Sequence, residues 1–148
     1  MARIEIEMPE HFVFQTEIPL LGLHINEGGH LDNALLLTLI SESRQRYWES
    51  LGYDHTNIEG ASYIVADTAV QYRSEARQGE IMVVALALRD FHKYGFDFVW
   101  QVSDKASGRE VARGKTGALF FDYATKKVTP LPEKLKQLLT ASNIAAKD

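Results

Sequence analysis

Apolar residues recur with helical spacing in one long segment of the chain, residues 32–53, which reads DNALLLTLISESRQRYWESLGY. Their stripe is wide enough to cover one face of a helix. Asp32 before the stripe is a favourable N-cap, and Gly52 after it is a favourable C′ residue. The pattern predicts one long helix whose apolar face must be buried. The stripe consists of Leu35, Leu36, Leu39, Ile40, Tyr47 and Leu51.

Strand-like patterns flank this helix on both sides. Residues 11–20 are rich in β-formers and end near Pro19, which predicts an opening strand. The later segments either alternate between apolar and polar residues or are continuously apolar, as strands buried on both faces are. They predict four strands at residues 62–76, 80–91, 95–104 and 110–123, followed by a short helix over 132–142.

The connections between the four later strands are short and contain turn residues, at 77–80, 92–95 and 104–109. Short connections favour antiparallel neighbours, so the pattern predicts a four-strand meander. A curved antiparallel sheet wrapped around the single long helix would cover its apolar face. We therefore expect an α+β fold that forms one domain over residues 1–148, without repeats or linkers.

Composition narrows the function classes. The net charge is −4 and the pI is about 5.7, which does not suggest a nucleic-acid binder. The absence of cysteine excludes disulfides, thiolate zinc sites and a cysteine nucleophile. The amino terminus lacks a signal-peptide core, and no apolar run approaches the ~20 residues that span a bilayer. We expect a cytoplasmic protein without nucleic-acid or membrane partners.

Polar residues are concentrated immediately before the helix, in GLHINEGGHLDN at residues 22–33. Gly28 and Gly29 allow the backbone to turn tightly beside a ligand. The start of a helix offers free N–H groups and the positive end of the helix dipole. This stretch is therefore interpreted as a ligand-facing turn that leads into a helix N-terminus.

The same stretch resembles a motif of a known family. The motif reads Gly-His-Val-Asn-Asn-Ala and is followed by a helix that contains Glu-Ala-Arg. The corresponding residues here are Gly29, His30, Leu31, Asp32, Asn33 and Ala34, and then Glu42, Ser43 and Arg44. The final strand, ARGKTGALFFDYATKKVTPLP, also resembles that family. Over residues 10–132 the chain resembles hotdog-fold acyl-CoA thioesterases of the 4-hydroxybenzoyl-CoA thioesterase superfamily.

The resemblance implies a long central helix wrapped by a curved sheet, and hydrolysis of an acyl-CoA thioester to free acid and CoA. Coenzyme A would be part of the substrate, and no separate cofactor is expected. Hotdog domains usually pair and build active sites between chains, which implies a homodimer or homotetramer.

One position departs from the family motif. Many relatives have a catalytic aspartate three residues before the glycine, and that position is Asn26 here. An asparagine side chain cannot ionise, but it can orient a water molecule or donate a hydrogen bond to the thioester. The Ile-Asn-x-Gly-x-His-Leu pattern resembles a thioesterase-like subgroup, which makes Asn26 a trait of that subgroup.

Three further residues are candidates for catalysis, each with a structural alternative. The backbone N–H near Asn33 would stabilise an oxyanion, or Asn33 would only help to cap the helix. Glu42, at the flank of the apolar stripe, would be the general base, or would form an ion pair with Arg46. His30 would transfer protons, or its ring would fix the loop.

Other residues are candidates for contacts with coenzyme A or with a metal ion. Lys93 and Gly95 lie where relatives place a CoA contact, although a solvated lysine is the alternative. His24 and His30 with a carboxylate could in principle bind zinc, but their spacing matches no metal motif, so no metal is expected.

Three function classes remain open. A hydrolase would release CoA, with Glu42 as base and Asn26 positioning the reactants. A hotdog dehydratase or hydratase would pair His30 with Glu42 and would hydrate an enoyl thioester, although the usual proline-rich segment near the histidine is absent. A non-catalytic protein would bind acyl thioesters without turnover.

Overall fold

The computed structural model describes residues 2–145. In chain order it has β1 (Phe14–Pro19), a 3₁₀ turn (Gly22–His24), α1 (Leu36–Ser50), β2 (Ser62–Tyr72), β3 (Ile81–His92), β4 (Gly95–Asp104), β5 (Glu110–Asp122), β6 (Lys127–Val128) and α2 (Glu133–Ala145). All strand pairs are antiparallel, and the sheet order is β1-β3-β4-β5-β2 with β6 beside β5. The predicted α+β arrangement of a long helix wrapped by a curved antiparallel sheet is confirmed.

The predicted four-strand meander is wrong at one step. β2 does not pair with β3 but with β5, so that Tyr63 lies opposite Phe120 and Tyr72 opposite Ala112. The ladder of β2 ends at Tyr72 because the next two amides, of Arg73 and Ser74, both donate to the carbonyl of Val111. Residues 73–80 then pass the ends of β5 and β4 to reach β3.

The long helix is shorter than the predicted 32–53, but both predicted cap residues make capping contacts, Asp32 in the turn before the helix and Gly52 after it. Asp32 Oδ1 accepts hydrogen bonds from the amides of Ala34, at 2.8 Å, and Leu35, at 3.1 Å. It therefore caps a first turn that leads into α1 at Leu36. At the other end Gly52 has a φ of 87°, and the amide of Tyr53 donates to the carbonyl of Trp48 at 2.9 Å, as in a Schellman motif.

The core lies between α1 and the concave face of the sheet. The ring of Phe98 is surrounded by those of Tyr47, Trp48 and Tyr63, with centroids 6.0–6.3 Å away. The indole N–H of Trp48 donates to the Tyr63 hydroxyl at 3.1 Å. Aromatic burial of this size contributes strongly to stability, and the buried indole has a hydrogen-bond partner.

The outer face of the sheet is crossed by the amino-terminal segment. The amide of Ile6 donates to Gln71 Oε1 at 2.6 Å, and its carbonyl accepts from Arg113 at 3.2 Å. The side chain of Ile6 is buried. Two small residues of β3, Ala85 and Ala87, are also buried. Within residues 2–145, neither α1 nor α2 has the length and apolar character that a membrane span requires.

Candidate active site

A cavity of about 390 Å³ lies where the N-terminus of α1 meets the end of β2 and the start of β5. Three of the four predicted catalytic residues line it: Asn26, His30 and Asn33. All three belong to the loop at 22–33, which contributes five residues to the lining. The full lining is Asn26, His30, Leu31, Asp32, Asn33, Leu36, Tyr72, Arg73, Ser74, Glu75, Ala76 and Val111.

The loop turns tightly at residues 26–30. The amide of Asn26 donates to the carbonyl of His30 at 2.9 Å, and the amide of Gly29 donates to the carbonyl of Asn26 at 3.0 Å. Gly29 has a φ of 87°, a conformation that a side chain would strain. Asn26 Oδ1 accepts from the amide of Gly28 at 2.9 Å, so the side-chain oxygen of Asn26 is occupied by the turn.

Two backbone hydrogen bonds hold this loop in place. The amide of Leu31 donates to the carbonyl of Ala76 at 2.7 Å, and the amide of Asp32 donates to the carbonyl of His24 at 2.9 Å. The ring of His24 accepts from the amide of Leu21 at 2.9 Å through Nδ1. His24 therefore orders the loop from outside the cavity, and this nitrogen is not free for a metal.

The turn that precedes α1 contains one uncommitted amide, in a residue that lines the cavity. Asp32 takes the amides of Ala34 and Leu35, whereas within the described chain the amide of Asn33 makes no hydrogen bond. The Tyr72 hydroxyl donates to the carbonyl of Asn33 at 2.9 Å and holds that peptide group. Asp32 is thus a cap, and its capping leaves the Asn33 N–H as a donor at the positive end of the helix dipole.

Residues 72–76 form another part of the cavity wall, and none of them was predicted from the sequence to be a catalytic or CoA-binding residue. Glu75 Oε1 lies 3.5 Å from His30 Nε2, and its other oxygen lies 3.6 Å from Arg77 Nη2. The available signal was the polar run YRSEAR at the end of a strand. The run could not be assigned to this site because the strand pairing of β2 was predicted incorrectly.

Glu42 does not line the cavity. Its carboxylate lies 3.0 Å from Arg46 Nε and is about half exposed, at 46%. Arg46 also donates to Thr16 Oγ1 at 2.8 Å, which directs this side of α1 toward β1. The ion pair named as the alternative for Glu42 is therefore present. Within a single chain, the helix and the cavity lining do not bring Glu42 to His30.

Lys93 and Gly95 lie at the opposite end of the sheet from the cavity. Gly95 is opposite Leu119, whereas the cavity end of β5 is at Ala112, roughly 24 Å away along the strand. A side chain at Gly95 would collide with the carbonyl oxygen of Ala118, so close backbone packing accounts for this glycine. Lys93 Nζ lies 5.3 Å from the ring centroid of Tyr94.

A charged network lies behind the cavity, at the start of β5. Burial alone would raise the pKa of Glu110, but hydrogen bonds from Arg113 and Gln101 and the charge of Arg73 outweigh it and lower the pKa. Arg113 Nη2 lies 2.8 Å from Glu110, and Arg73 Nε lies 3.3 Å from it. In the part of the chain that the structure describes, no three His, Asp or Glu residues are grouped to hold a metal ion.

The fold resembles that of thioesterases of the hotdog type. Residues 22–139 match the family model of the thioesterase-like superfamily, and the chain belongs to this family. The expected enzyme class, thioester hydrolase, is confirmed by this family membership. No curated protein sequence matches the chain.

Solved structures support the fold. A 1,4-dihydroxy-2-naphthoyl-CoA thioesterase from Synechocystis is 17% identical, with a TM-score of 0.78 and coverage of 86% of this chain and 95% of that one. A thioesterase from Thermus thermophilus, complexed with coenzyme A and Zn, is 20% identical, with a TM-score of 0.76. That match covers 91% of this chain and 98% of the other.

Proposed function

We propose that the protein hydrolyses an acyl-CoA thioester to a free acid and CoA at the cavity beside the N-terminus of α1. The observation that carries this proposal is the uncommitted amide of Asn33, at the end of a helix and next to Asn26 and His30. A thioester carbonyl placed there would gain negative charge during attack by water, and a fixed N–H donor stabilises that charge.

The reaction follows from the groups that surround the cavity. The oxygen of a water molecule bonds to the carbonyl carbon, and the carbonyl oxygen is held by the Asn33 amide. The carbon–sulfur bond then breaks, and the proton lost by the water is returned to the leaving thiolate. The side-chain amide of Asn26 has N–H groups that can donate to the substrate, since its oxygen is held by Gly28.

The proposed substrate class rests on the cavity walls and on similar proteins. Leu31, Leu36, Ala76 and Val111 supply apolar surface for an acyl group. The similar Thermus structure contains coenzyme A, and the similar Synechocystis enzyme is named for an aromatic acyl-CoA. An aromatic acyl-CoA therefore belongs among the first substrates to be tried.

The proposal includes a homo-oligomer in the cytoplasm. β2 is an edge strand whose middle is exposed, so a second copy has a surface on which to pair. In one chain Lys93 and Glu42 lie away from the cavity, so a role in CoA binding or proton transfer would require a second copy to supply them. Dimer and tetramer both fit this requirement.

A non-catalytic acyl-thioester binder is the second candidate, and Asn26 favours it because an amide cannot serve as a base. A hydratase is less well supported, since His30 and Glu42 are not neighbours within one chain. The three outcomes differ in product: free CoA, a hydrated enoyl thioester, or binding without turnover.

The test is release of free thiol from short, long and aromatic acyl-CoAs by the wild type, Asn26→Ala, Glu42→Ala and Glu27→Ala. We expect Asn26→Ala to lower kcat/KM by about 10²-fold, as loss of one transition-state donor does. Glu27 is the matched control, since it is exposed in the same loop and does not line the cavity.

Full activity of Asn26→Ala would remove this residue from the mechanism. Unchanged activity of Glu42→Ala would remove Glu42 as the base, even in an oligomer. Binding of acyl-CoA without thiol release from any substrate would replace the hydrolase by the binder.

A further inference from the structure

Hydrolysis at this cavity needs a group that accepts the proton of the attacking water. Asn26 cannot ionise, and Glu42 is held by Arg46 outside the cavity. A carboxylate is nevertheless present in the lining, on the segment that follows the end of β2. We propose that Glu75 is the carboxylate partner of His30, and that this pair supplies the base that the loop lacks. This inference rests on the proposed hydrolase function.

The side chains of His30 and Glu75 lie close together in the cavity lining. His30 Nε2 lies 3.5 Å from Glu75 Oε1, with side-chain exposures of 32% for His30 and 61% for Glu75. This separation is an ion-pair distance, slightly longer than a hydrogen bond of about 2.7–3.2 Å. A small movement of either side chain closes it, and catalytic hydrogen bonds often shorten when substrate binds.

The backbone holds the two residues beside each other. The residues that follow them are joined directly, since the amide of Leu31 donates to the carbonyl of Ala76 at 2.7 Å. The carbonyl of Glu75 accepts from Arg109 Nη2 at 2.9 Å, and this guanidinium is itself held by Glu80 at 3.0 Å. The proximity of Glu75 to His30 therefore follows from fixed main-chain positions and not from side-chain rotation alone.

The carboxylate of Glu75 has two positively charged or ionisable neighbours, and the other charged groups of the lining have partners of their own. Its second oxygen lies 3.6 Å from Arg77 Nη2, so the carboxylate is between an imidazole and a guanidinium. Arg73, also in the cavity lining, is paired with Glu110 and not with Glu75. Asp32 is committed to capping the helix. Glu75 is thus the carboxylate in the cavity lining that is free to serve His30.

The geometry assigns a role to each nitrogen of the His30 ring. With the Nε2–H directed at Glu75, Nδ1 carries the lone pair that can accept a proton. Nδ1 takes a proton from water as the water oxygen bonds to the thioester carbon. The carbon–sulfur bond breaks, and the imidazolium returns this proton to the thiolate. The products are one carboxylic acid and one thiol from one thioester and one water.

Glu75 acts through His30 in this scheme and is therefore a positioning residue. It fixes the tautomer of the ring and stabilises the imidazolium that forms during attack. Partners of this kind are required for an otherwise weak base in other hydrolytic sites. Histidine is suited to the task because its unperturbed pKa places its charge change near neutral pH.

The experiment compares kcat and KM for thiol release by the wild type, Glu75→Gln, Glu75→Asp, His30→Gln and the double variant Glu75→Gln/His30→Gln. Glu27→Gln is the matched control, because it removes one exposed carboxylate from the loop beside the cavity. Thermal unfolding of each variant separates loss of activity from loss of the fold.

We expect Glu75→Gln to lower kcat by about 10- to 100-fold with little change in KM. Glu75→Asp should recover part of this loss, because it restores the charge with a shorter side chain. The double variant should be no slower than His30→Gln alone, since the two residues act as one unit. Glu27→Gln should retain wild-type rates.

The following results would contradict the proposal that Glu75 is the partner of His30. Wild-type kcat in folded Glu75→Gln, or a double variant whose losses multiply, would show that Glu75 does not act through His30. Equal losses in Glu75→Gln and Glu75→Asp, with a lowered melting temperature, would reduce its role to structure. An active wild type with unaffected Glu75→Gln overturns only this inference, whereas a wild type that releases no thiol overturns the proposed hydrolase as well.

Discussion

The two ends of the sheet are built in opposite ways. At the β3–β4 hairpin, backbones approach so closely that Gly95 has no room for a side chain beside Ala118. At the other end, the loop at 22–33 and residues 72–76 enclose a cavity of about 390 Å³ that is lined by both polar and apolar side chains. The first arrangement contributes packing, and the second leaves groups such as His30 partly exposed. Stability and chemistry are therefore expected to respond to different substitutions.

The largest contrast is expected from two glycines, one at each end. Gly95→Ala forces a methyl group into the Ala118 carbonyl and should destabilise the protein by about 3 kcal/mol or more, at the upper end of overpacking costs. Gly28→Ala places a methyl group 3.2 Å from both Asn26 Oδ1 and His30 Nε2. It should lower activity more than stability.

Denaturant unfolding and thiol release measured on both variants would check this contrast. It fails if Gly95→Ala is as stable as the wild type, or if Gly28→Ala loses stability without losing turnover.

A smaller effect on stability and activity is expected from Asp32, the cap at the end of the helix that is next to the cavity. Asp32→Ala removes the acceptor of two amides and should cost about 1 kcal/mol, the usual cost of losing a cap. It should also lower thiol release, because the Asn33 peptide next to it loses its fixed position. The matched control is Asp54→Ala, which removes a carboxylate that accepts the amide of Thr56 at 2.8 Å outside the cavity.

The readouts for this cap are urea unfolding and kcat/KM. If Asp32→Ala and Asp54→Ala lose activity equally, the loss does not come from the position of the Asn33 amide. If Asp32→Ala keeps full activity, the helix N-terminus does not contribute to the reaction.

The smallest effect is expected from the charged network behind the cavity. The pKa of Glu110 is lowered in the folded protein, so its stabilisation is present above the ordinary value near 4.5 and is lost as pH falls through the folded value. Glu110→Gln should cost less than about 1 kcal/mol at pH 7. Its deficit relative to the wild type should shrink below about pH 4.5.

Urea unfolding of the wild type and Glu110→Gln at neutral pH and at several values down to about pH 4 measures this convergence. An exposed carboxylate in a loop, Glu27→Gln, serves as the comparison. A deficit that grows as pH falls would have the wrong sign for a carboxyl with a lowered pKa.

Much of the fold was predictable because its signals are local. The apolar stripe of α1, the Asp32 cap and the Gly52 terminus are properties of neighbouring residues, and all three are present. The alternation of β4 likewise matches its buried face, with Phe96, Phe98, Trp100 and Val102 in the core. The partner of β2 was mispredicted, because the spacing of turn residues does not report which strand lies at an edge.

The residues of the candidate site also divide into those that local sequence predicts and those that depend on the packing of distant segments. Asn26, His30 and Asn33 were predictable as a group, because one short loop carries them to the start of the helix. Glu75 was missed, because its place beside His30 depends on β2 pairing with β5 and on the path of residues 73–80. Glu42 was identified from its position on the apolar flank, but helical periodicity does not say which neighbour that flank faces.

By itself, the sequence determined the elements, their caps and the polar loop at the helix N-terminus, since these depend on contacts between residues close along the chain. Only the tertiary structure decided the strand order, the position of Glu42 outside the cavity and the approach of Glu75 to His30. The physical reason is that these arrangements depend on which distant segments pack together, and side-chain periodicity is the same for every packing that buries the same face.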